Sequence, residues 1–300
     1  MKKNILLHFG IYPVILLAMI FWGMSFVWSS IVFKYYNPIT TIFLRLVIST
    51  LLLSLFIFFT GKFERLKKED RILFLLSSLF NPFLYFLGEN FGLKNSTPGI
   101  SAVIIATIPL FTPLVAFIAL KEKITWYNLA GIFISFLGVG IMLVNPDLTL
   151  NASPAGIAFL LVAVLSAVIY SVFLKKLTLK YSSLTIITFQ NGIGIIYFLP
   201  LFLIFEFNHF IAVKPNFELI SSLLQLSVFA SALAFIFFTM AVKELGVSRT
   251  NVFSNLIPVF TAIFSAIFIS EMFTATKIAG MATVIAGVMI SQWRRRTVEL

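Results

Sequence analysis

Ten apolar runs, most of them close to twenty residues long, follow one another from residue 11 to residue 292. At 1.5 Å per helical residue, about twenty residues match the roughly 30 Å hydrocarbon core of a bilayer. No other feature of the chain restricts its fold as tightly. With no water at bilayer depth, each run must satisfy its own backbone hydrogen bonds, and a helix does so within one segment. A transmembrane barrel would alternate polar and apolar residues, whereas these runs are continuously apolar. Composition agrees: 60% of the 300 residues are hydrophobic and 11% are charged. A soluble domain carries about a quarter of its residues as charges. The chain therefore reads as an all-α polytopic membrane protein.

The spans are expected at 11–33, 38–60, 71–92, 97–120, 126–144, 154–174, 183–205, 217–241, 247–269 and 275–292. The breaks between them are physical, among them Asn37-Pro38, Thr97-Pro98-Gly99, Asn145-Pro146-Asp147, Ser153-Pro154 and Lys214-Pro215-Asn216. The run after Met1–Lys3 continues to about Phe33, with no small-residue cleavage site, and reads as a retained helix. With ten spans and the N-terminus in the cytoplasm, 17 Lys and Arg residues fall on the cytoplasmic side. Four (Lys34, Lys94, Lys214 and Lys277) fall outside, and Arg45 lies within a span. That asymmetry is the positive-inside signature, with both termini cytoplasmic. The net charge of +11 is thus an orienting charge in short loops and gives no reason to expect nucleic acid. There is no cysteine, so disulfides and thiolate metal sites are excluded.

The chain also matches itself. A shift of 149 residues lays Ile108-Pro109 on Ile257-Pro258, Phe111-Thr112 on Phe260-Thr261 and Glu122 on Glu271. The same shift lays Ala130-Gly131 on Ala279-Gly280 and Gly138-Val139 on Gly287-Val288. Helices four and five thus recur as nine and ten, dividing the chain into residues 1–147 and 148–300. Five helices is an odd number, so the second half is inverted. Inverted halves suit a carrier, because two related halves can exchange conformations and open alternately to each side.

The order Pro109, Glu122, Gly131, Gly138, repeated as Pro258, Glu271, Gly280, Gly287, resembles the paired repeats of the EamA-like branch of the drug/metabolite transporter superfamily. Trp22-Gly23, Phe26, Pro38 and Arg45 resemble that family's opening segment. The resemblance covers nearly the whole chain. It implies a carrier of the bacterial cytoplasmic (inner) membrane, with a cavity between its halves, that moves amino acids, purines or other small metabolites, commonly outward. One departure is informative: the small multidrug branch uses a glutamate in its first helix, and span 11–33 here contains no acid.

A charge at bilayer depth costs about 2.5–3.5 kcal/mol even on lenient scales, so it is expected to face the protein interior or a wet cavity. Arg45 lies seven residues into its span, roughly 10 Å deep, and Glu89 can meet it from helix three. The pair is either a pin between helices or a working site. In the second case Glu89 accepts a proton or an ammonium and Arg45 holds a carboxylate. Asn251, Ser254, Asn255 and Pro258 share one face of helix nine, which either knits helices together or lines a cavity. Asn81, Tyr85 and Glu89 form a second line at i, i+4, i+8. Gln190 and Asn191 sit near the middle of helix seven, and Trp22 offers a stacking wall. These residues place the expected cavity among helices two, three, seven and nine. Gly131, Gly138, Gly280 and Gly287 read as close helix contacts.

The chain has no phosphate-binding glycine loop, no clustered histidines and no serine–histidine–acid set. No cofactor and no catalysis are expected. The leading expectation is a secondary carrier, working as a monomer or a homodimer, with protons as a candidate coupling ion. A sugar-phosphate or nucleotide-sugar exchanger would want several cations around its cavity, and only Arg45 is offered. A membrane scaffold or enzyme is the remaining alternative.

Overall fold

The computed structural model describes residues 2–112, 115, 125–143 and 152–292. Among these lie ten helices: α1 (Lys2–Val32), α2 (Pro38–Thr60), α3 (Lys68–Lys94), α4 (Pro98–Thr112), α5 (Trp126–Leu143), α6 (Pro154–Thr178), α7 (Ser183–Ala212), α8 (Phe217–Leu245), α9 (Arg249–Phe268) and α10 (Ala275–Gln292). Seven of them are long and apolar enough to cross a membrane, and α4, α5 and α10 contain shorter apolar helices. Residues 116–120 of the expected fourth span, and Glu122, lie outside the described residues. Exposed phenylalanines such as Phe58, Phe59, Phe133 and Phe205 give the bundle an apolar outer surface.

Most helix starts follow from local chemistry. Proline occupies the first turn of α2, α4 and α6, where its missing N–H is no loss. Thr97, Ser153, Ser182 and Asn216 cap α4, α6, α7 and α8 by accepting from Ile100, Gly156, Thr185 and Leu219 N–H groups. Helix α7 runs to Ala212, beyond the expected end at 205. A π-helical turn at Phe202–Glu206 carries the chain past Pro200 instead of ending the helix.

Two contacts show that the halves are inverted. Helices α5 and α10, which match in the 149-residue shift, pack directly on one another. A Cβ built on Gly131 would lie 2.5 Å from the Gly287 carbonyl oxygen, and one on Gly138 would lie 2.7 Å from that of Gly280. Residue numbers rise on one helix as they fall on the other, so the pair is antiparallel. Gly131 is also the repeat mate of Gly280, and Gly138 of Gly287, so the interface maps onto itself under exchange of the halves. Helices α2 and α7 form the second such pair: Phe43 stacks on Phe202 at 4.6 Å, and Leu46 packs beside Gly194. Around these pairs the halves exchange partners. Helix α1 packs on α8 and α9, and α6 packs on α3 and α4.

Helix irregularities obey the same symmetry. A π turn at Leu79–Leu84 interrupts α3 around Pro82, and one at Leu226–Leu233 interrupts α8 at the matching level. Pro82 removes a ladder donor and disfavours helical dihedrals at Asn81, which takes φ −146° and ψ 117°. Helix α4 loosens into a turn at Ala106-Thr107, and α9 tightens into a 3-10 turn at Phe253–Leu256. Each break immediately precedes the matched Ile-Pro pair.

Candidate functional site

A narrow cavity of about 50 Å³ opens where the four broken helices approach one another. Its wall is built from Trp22 on α1, Asn81 and Tyr85 on α3, Ile105 and Ile108 on α4, then Ala167, Tyr170 and Ser171 on α6. Phe235 and Phe238 on α8, with Asn251, Ser254 and Ile257 on α9, complete it. The contributing helices are α1, α3 and α4 with their repeat mates α6, α8 and α9. At residue level Ile105 pairs with Ser254 and Ile108 with Ile257, each 149 apart. The cavity therefore lies on the axis relating the two halves.

Of the residues singled out from the sequence, Trp22, Asn81, Tyr85, Asn251 and Ser254 line this cavity. Arg45, Glu89, Gln190, Asn191 and Asn255 are not among the lining residues. To this cavity α2 and α7 contribute no lining residue, whereas α1, α4, α6 and α8 do; a separate cleft is lined by Thr50, Ser54 and Ile57 of α2 with Thr185, Thr188 and Phe189 of α7. The reason lies in what the buried polar groups of α2 and α7 are bonded to. The Arg45 guanidinium donates to Ser231 Oγ at 2.6 Å, sits 4.2 Å above the Phe86 ring and reaches Glu89 at 4.0 Å. Asn191 donates to Ser49 Oγ at 2.9 Å and to the Ser231 carbonyl at 3.2 Å. Gln190 donates to Ser77 at 2.5 Å. This network ties α2, α3, α7 and α8 together behind the cavity wall.

Two tyrosines connect the network to the cavity. Tyr85 lines the cavity and donates to Glu89 Oε1 at 2.9 Å. Tyr170 lines it and donates to Gln190 Oε1 at 3.0 Å. Trp22 donates its indole N–H to the Ala230 carbonyl at 3.3 Å and meets Phe235 and Phe238 ring to ring at 5.0 and 5.1 Å. The wall is mostly aromatic and apolar, with Asn81, Ser171, Asn251 and Ser254 as its other polar members, and no charged side chain is among its described lining residues.

Both ends of the bundle carry polar clusters that sequence reasoning missed. On the face bearing residues 61–71, Asp70 accepts from Lys180 at 2.5 Å and from Tyr181 at 2.8 Å. On the opposite face Glu218 accepts from Lys34 at 3.1 Å and Tyr35 at 2.5 Å. The two clusters are repeat mates: Lys34-Tyr35 recurs as Lys180-Tyr181, and each dipeptide holds a carboxylate of the other half. Beside them Glu64 accepts from Ser182 at the start of α7, at 3.0 Å from N–H and 3.1 Å from Oγ. Glu206 does the same for α2, accepting from Thr40 N–H at 2.6 Å and Thr40 Oγ1 at 2.7 Å. Burial alone would raise the Glu64 carboxyl, but the Ser182 and Thr185 hydrogen bonds hold it below the usual carboxylate range. The repeated Lys-Tyr dipeptide was the available signal, visible only once the halves are superimposed.

The model of the EamA-like transporter family matches residues 10–144 and again residues 154–293. The chain belongs to that family. An uncharacterized transporter of Archaeoglobus fulgidus is 28% identical over 277 residues, covering 92% of this chain and 96% of that protein. The uncharacterized transporter YetK of Bacillus subtilis is 26% identical over 96% of this chain and 88% of its own length. A probable terminal-alkyne amino-acid exporter of Streptantibioticus cattleyicolor is 25% identical over 67% of this chain and 66% of its own. A protein of known crystal structure shares the fold at a TM-score of 0.70 and 14% identity, covering 94% of this chain and 98% of that one. This member of the family is a multi-pass membrane transporter.

Proposed function

We propose that the protein is a secondary active carrier that exports a small metabolite, on the scale of an amino acid or a purine, by alternating access through the axial cavity. The observation that carries this reading is the symmetry of the lining: three repeat-related helix pairs enclose one space. Exchanging the conformations of the two halves then turns a cavity open to one face into a cavity open to the other. The self-paired contacts α5/α10 and α2/α7 serve as the shared axis. The Asp70–Lys180–Tyr181 cluster latches one face and the Glu218–Lys34–Tyr35 cluster latches the other, and each breaks when its face opens. The face bearing residues 61–71 is the cytoplasmic one by its cations, in a cytoplasmic membrane with both termini inside. Tyr85 hands protons from the cavity to Glu89, and this couples transport to the proton gradient. The Streptantibioticus relative supports the outward direction. An exchanger of phosphorylated sugars is disfavoured, because an anion would meet no cation among the described lining residues.

Counterflow in proteoliposomes tests the proposal. With adenine, uracil, nicotinamide, tryptophan, threonine and lysine as probes, at least one labelled probe should accumulate transiently against its unlabelled form, only in vesicles containing the protein. Absence of protein-dependent flux for all six contradicts it.

A further inference from the structure

Helices α2 and α7 are repeat mates that pair with each other, so the two ends of their contact should look alike. Both ends carry the same pin: Glu206 accepts from Thr40 at one, and Glu64 accepts from Ser182 at the other. The space beside each pin differs. On the face opposite residues 61–71 the chain fills it with its own rings. There Phe43 stacks on Phe202, which also meets Phe207 and Phe210 at 5.9 and 5.5 Å. On the face bearing residues 61–71 the two helices part and leave a cleft of about 650 Å³, far larger than the axial cavity. The fold can seal this place, and at one end it does not.

The shape and chemistry of the cleft say what fills it. Its rim faces lipid, because Phe58, Phe63 and Ile196 line it and are 79%, 66% and 67% exposed. Its wall is mostly apolar: Thr188 donates its hydroxyl to the Leu184 carbonyl, and Thr185 shares a hydrogen bond with Ser182. Its length matches one leaflet. The lining on α2 begins at Thr50 and ends at Gly61, a rise of roughly 16 Å, against about 15 Å for half of the hydrocarbon core. Gly192 keeps it open. A glycine inside a helix costs stability relative to alanine, and at Gly194 packing requires it, since an added Cβ would lie 2.5 Å from Pro82 Cγ. At Gly192 the nearest atom is Thr50 Cγ2 at 3.9 Å. A side chain would fit there, so its absence serves the cleft and not the packing of α7.

An apolar cleft left empty beside hydrocarbon forfeits the dispersion contacts of its walls, and an acyl chain restores them. The mouth selects the headgroup. Lys62 and Arg65 flank the lining pair Phe63-Glu64, are exposed, and enter no ion pair among the described residues. The Glu64 carboxylate is engaged by the start of α7. We propose that the α2/α7 cleft is a phospholipid site. One acyl chain from the leaflet on the face bearing residues 61–71 lies between the helices, and an anionic headgroup meets Lys62 and Arg65. The lipid takes the place that Phe202 and its neighbouring rings fill at the opposite end. This site does not depend on the carrier reading.

Native mass spectrometry of the full-length protein tests it, after release into mild detergent from vesicles of phosphatidylethanolamine and phosphatidylglycerol in equal amounts. One phospholipid should stay bound per protein, with phosphatidylglycerol favoured by about fivefold for each of the two cations. Gly192→Leu fills the cleft and should abolish retention, while Gly140→Leu, whose Cβ position has nothing within 4 Å, should keep the lipid. Delipidated Gly192→Leu should melt no lower than the delipidated parent. Lys62→Gln combined with Arg65→Gln leaves the cleft walls intact; it should keep a lipid and lose the preference between headgroups. Undiminished retention in Gly192→Leu, equal loss in Gly140→Leu, or equal retention of the two lipids by the parent overturns the proposal. So does a dimer that Gly192→Leu dissociates, which would assign the cleft to a second copy of the chain.

Discussion

Substituting alanine for Gly131 should drive α5 and α10 apart and weaken the fold. The added Cβ would lie 2.5 Å from the Gly287 carbonyl oxygen and 2.6 Å from the Ser291 nitrogen. Both are backbone atoms, so no rotamer change relieves the contact. Gly138→Ala would meet the Gly280 oxygen and the Val284 nitrogen at 2.7 Å each. Ordinary contact begins near 3.4 Å, so the helices must separate by several tenths of an ångström along their whole shared length. Overpacking of this kind costs about 1–3 kcal/mol, and alanine's helix propensity returns about 0.5–1 kcal/mol. A net loss of about 1–2 kcal/mol for each variant follows, a shift of roughly five- to thirtyfold in the folding equilibrium. The double variant should lose less than the sum, because helices separated by one methyl already accommodate the other. Gly140 on the same helix has nothing within 4 Å of its Cβ position. Gly140→Ala should therefore be neutral, or more stable by up to about 1 kcal/mol. Reversible unfolding of the purified protein in mixed micelles measures all four. If Gly131→Ala and Gly140→Ala unfold at the same denaturant concentration, the close packing of α5 on α10 is wrong.

Glu89→Gln leaves the buried Arg45 without its counter-charge and should cost about 3–5 kcal/mol; in vesicles it should also flatten the pH dependence of transport. Tyr85→Phe is the gentler companion, expected to slow proton-driven flux but not proton-independent counterflow, and equal slowing of both would remove Tyr85 from the proton path. Tyr181→Phe should loosen the Asp70 latch and raise labelling of the cavity from the face bearing residues 61–71; no change, or a rise from the opposite face, counts against the latch. Because the folded-state carboxyl of Glu64 is held below the usual range, its cap on α7 contributes fully above the unfolded carboxyl value of about 4.3 and is lost as pH falls through the lower folded value. Glu64→Gln should erase the corresponding acid-induced loss of stability between neutral pH and pH 3, and an unaltered acid limb would show that the cap contributes nothing.

The span pattern and the repeat were legible because both rest on long-range regularities that single residues cannot disguise. The meeting of Arg45 with Glu89 was legible for a related reason: two charges at bilayer depth have few tolerable partners but each other. The cavity's position was not. Ile105, Ile108, Ala167, Phe235 and Phe238 form much of its wall, and such residues carry no signature in a chain that is 60% hydrophobic. Buried polar groups drew attention to α2 and α7, yet Gln190 and Asn191 are spent on Ser77, Ser49 and Ser231, knitting helices together. Glu206 lay just past the expected end of its span and gave no sign of reaching the start of α2. Its role depends on the π turn at Phe202–Glu206, which no local sequence signal announced.

The absence of native cysteine makes the central claim directly measurable. A single cysteine at Ser171, in the cavity wall on α6, can be probed with a membrane-impermeant maleimide applied to either side of sealed vesicles. Alternating access through an axial cavity predicts labelling from both faces, with the Asp70 and Glu218 latches controlling opposite sides. Labelling from one face whatever the latch variant, or from neither, would contradict it.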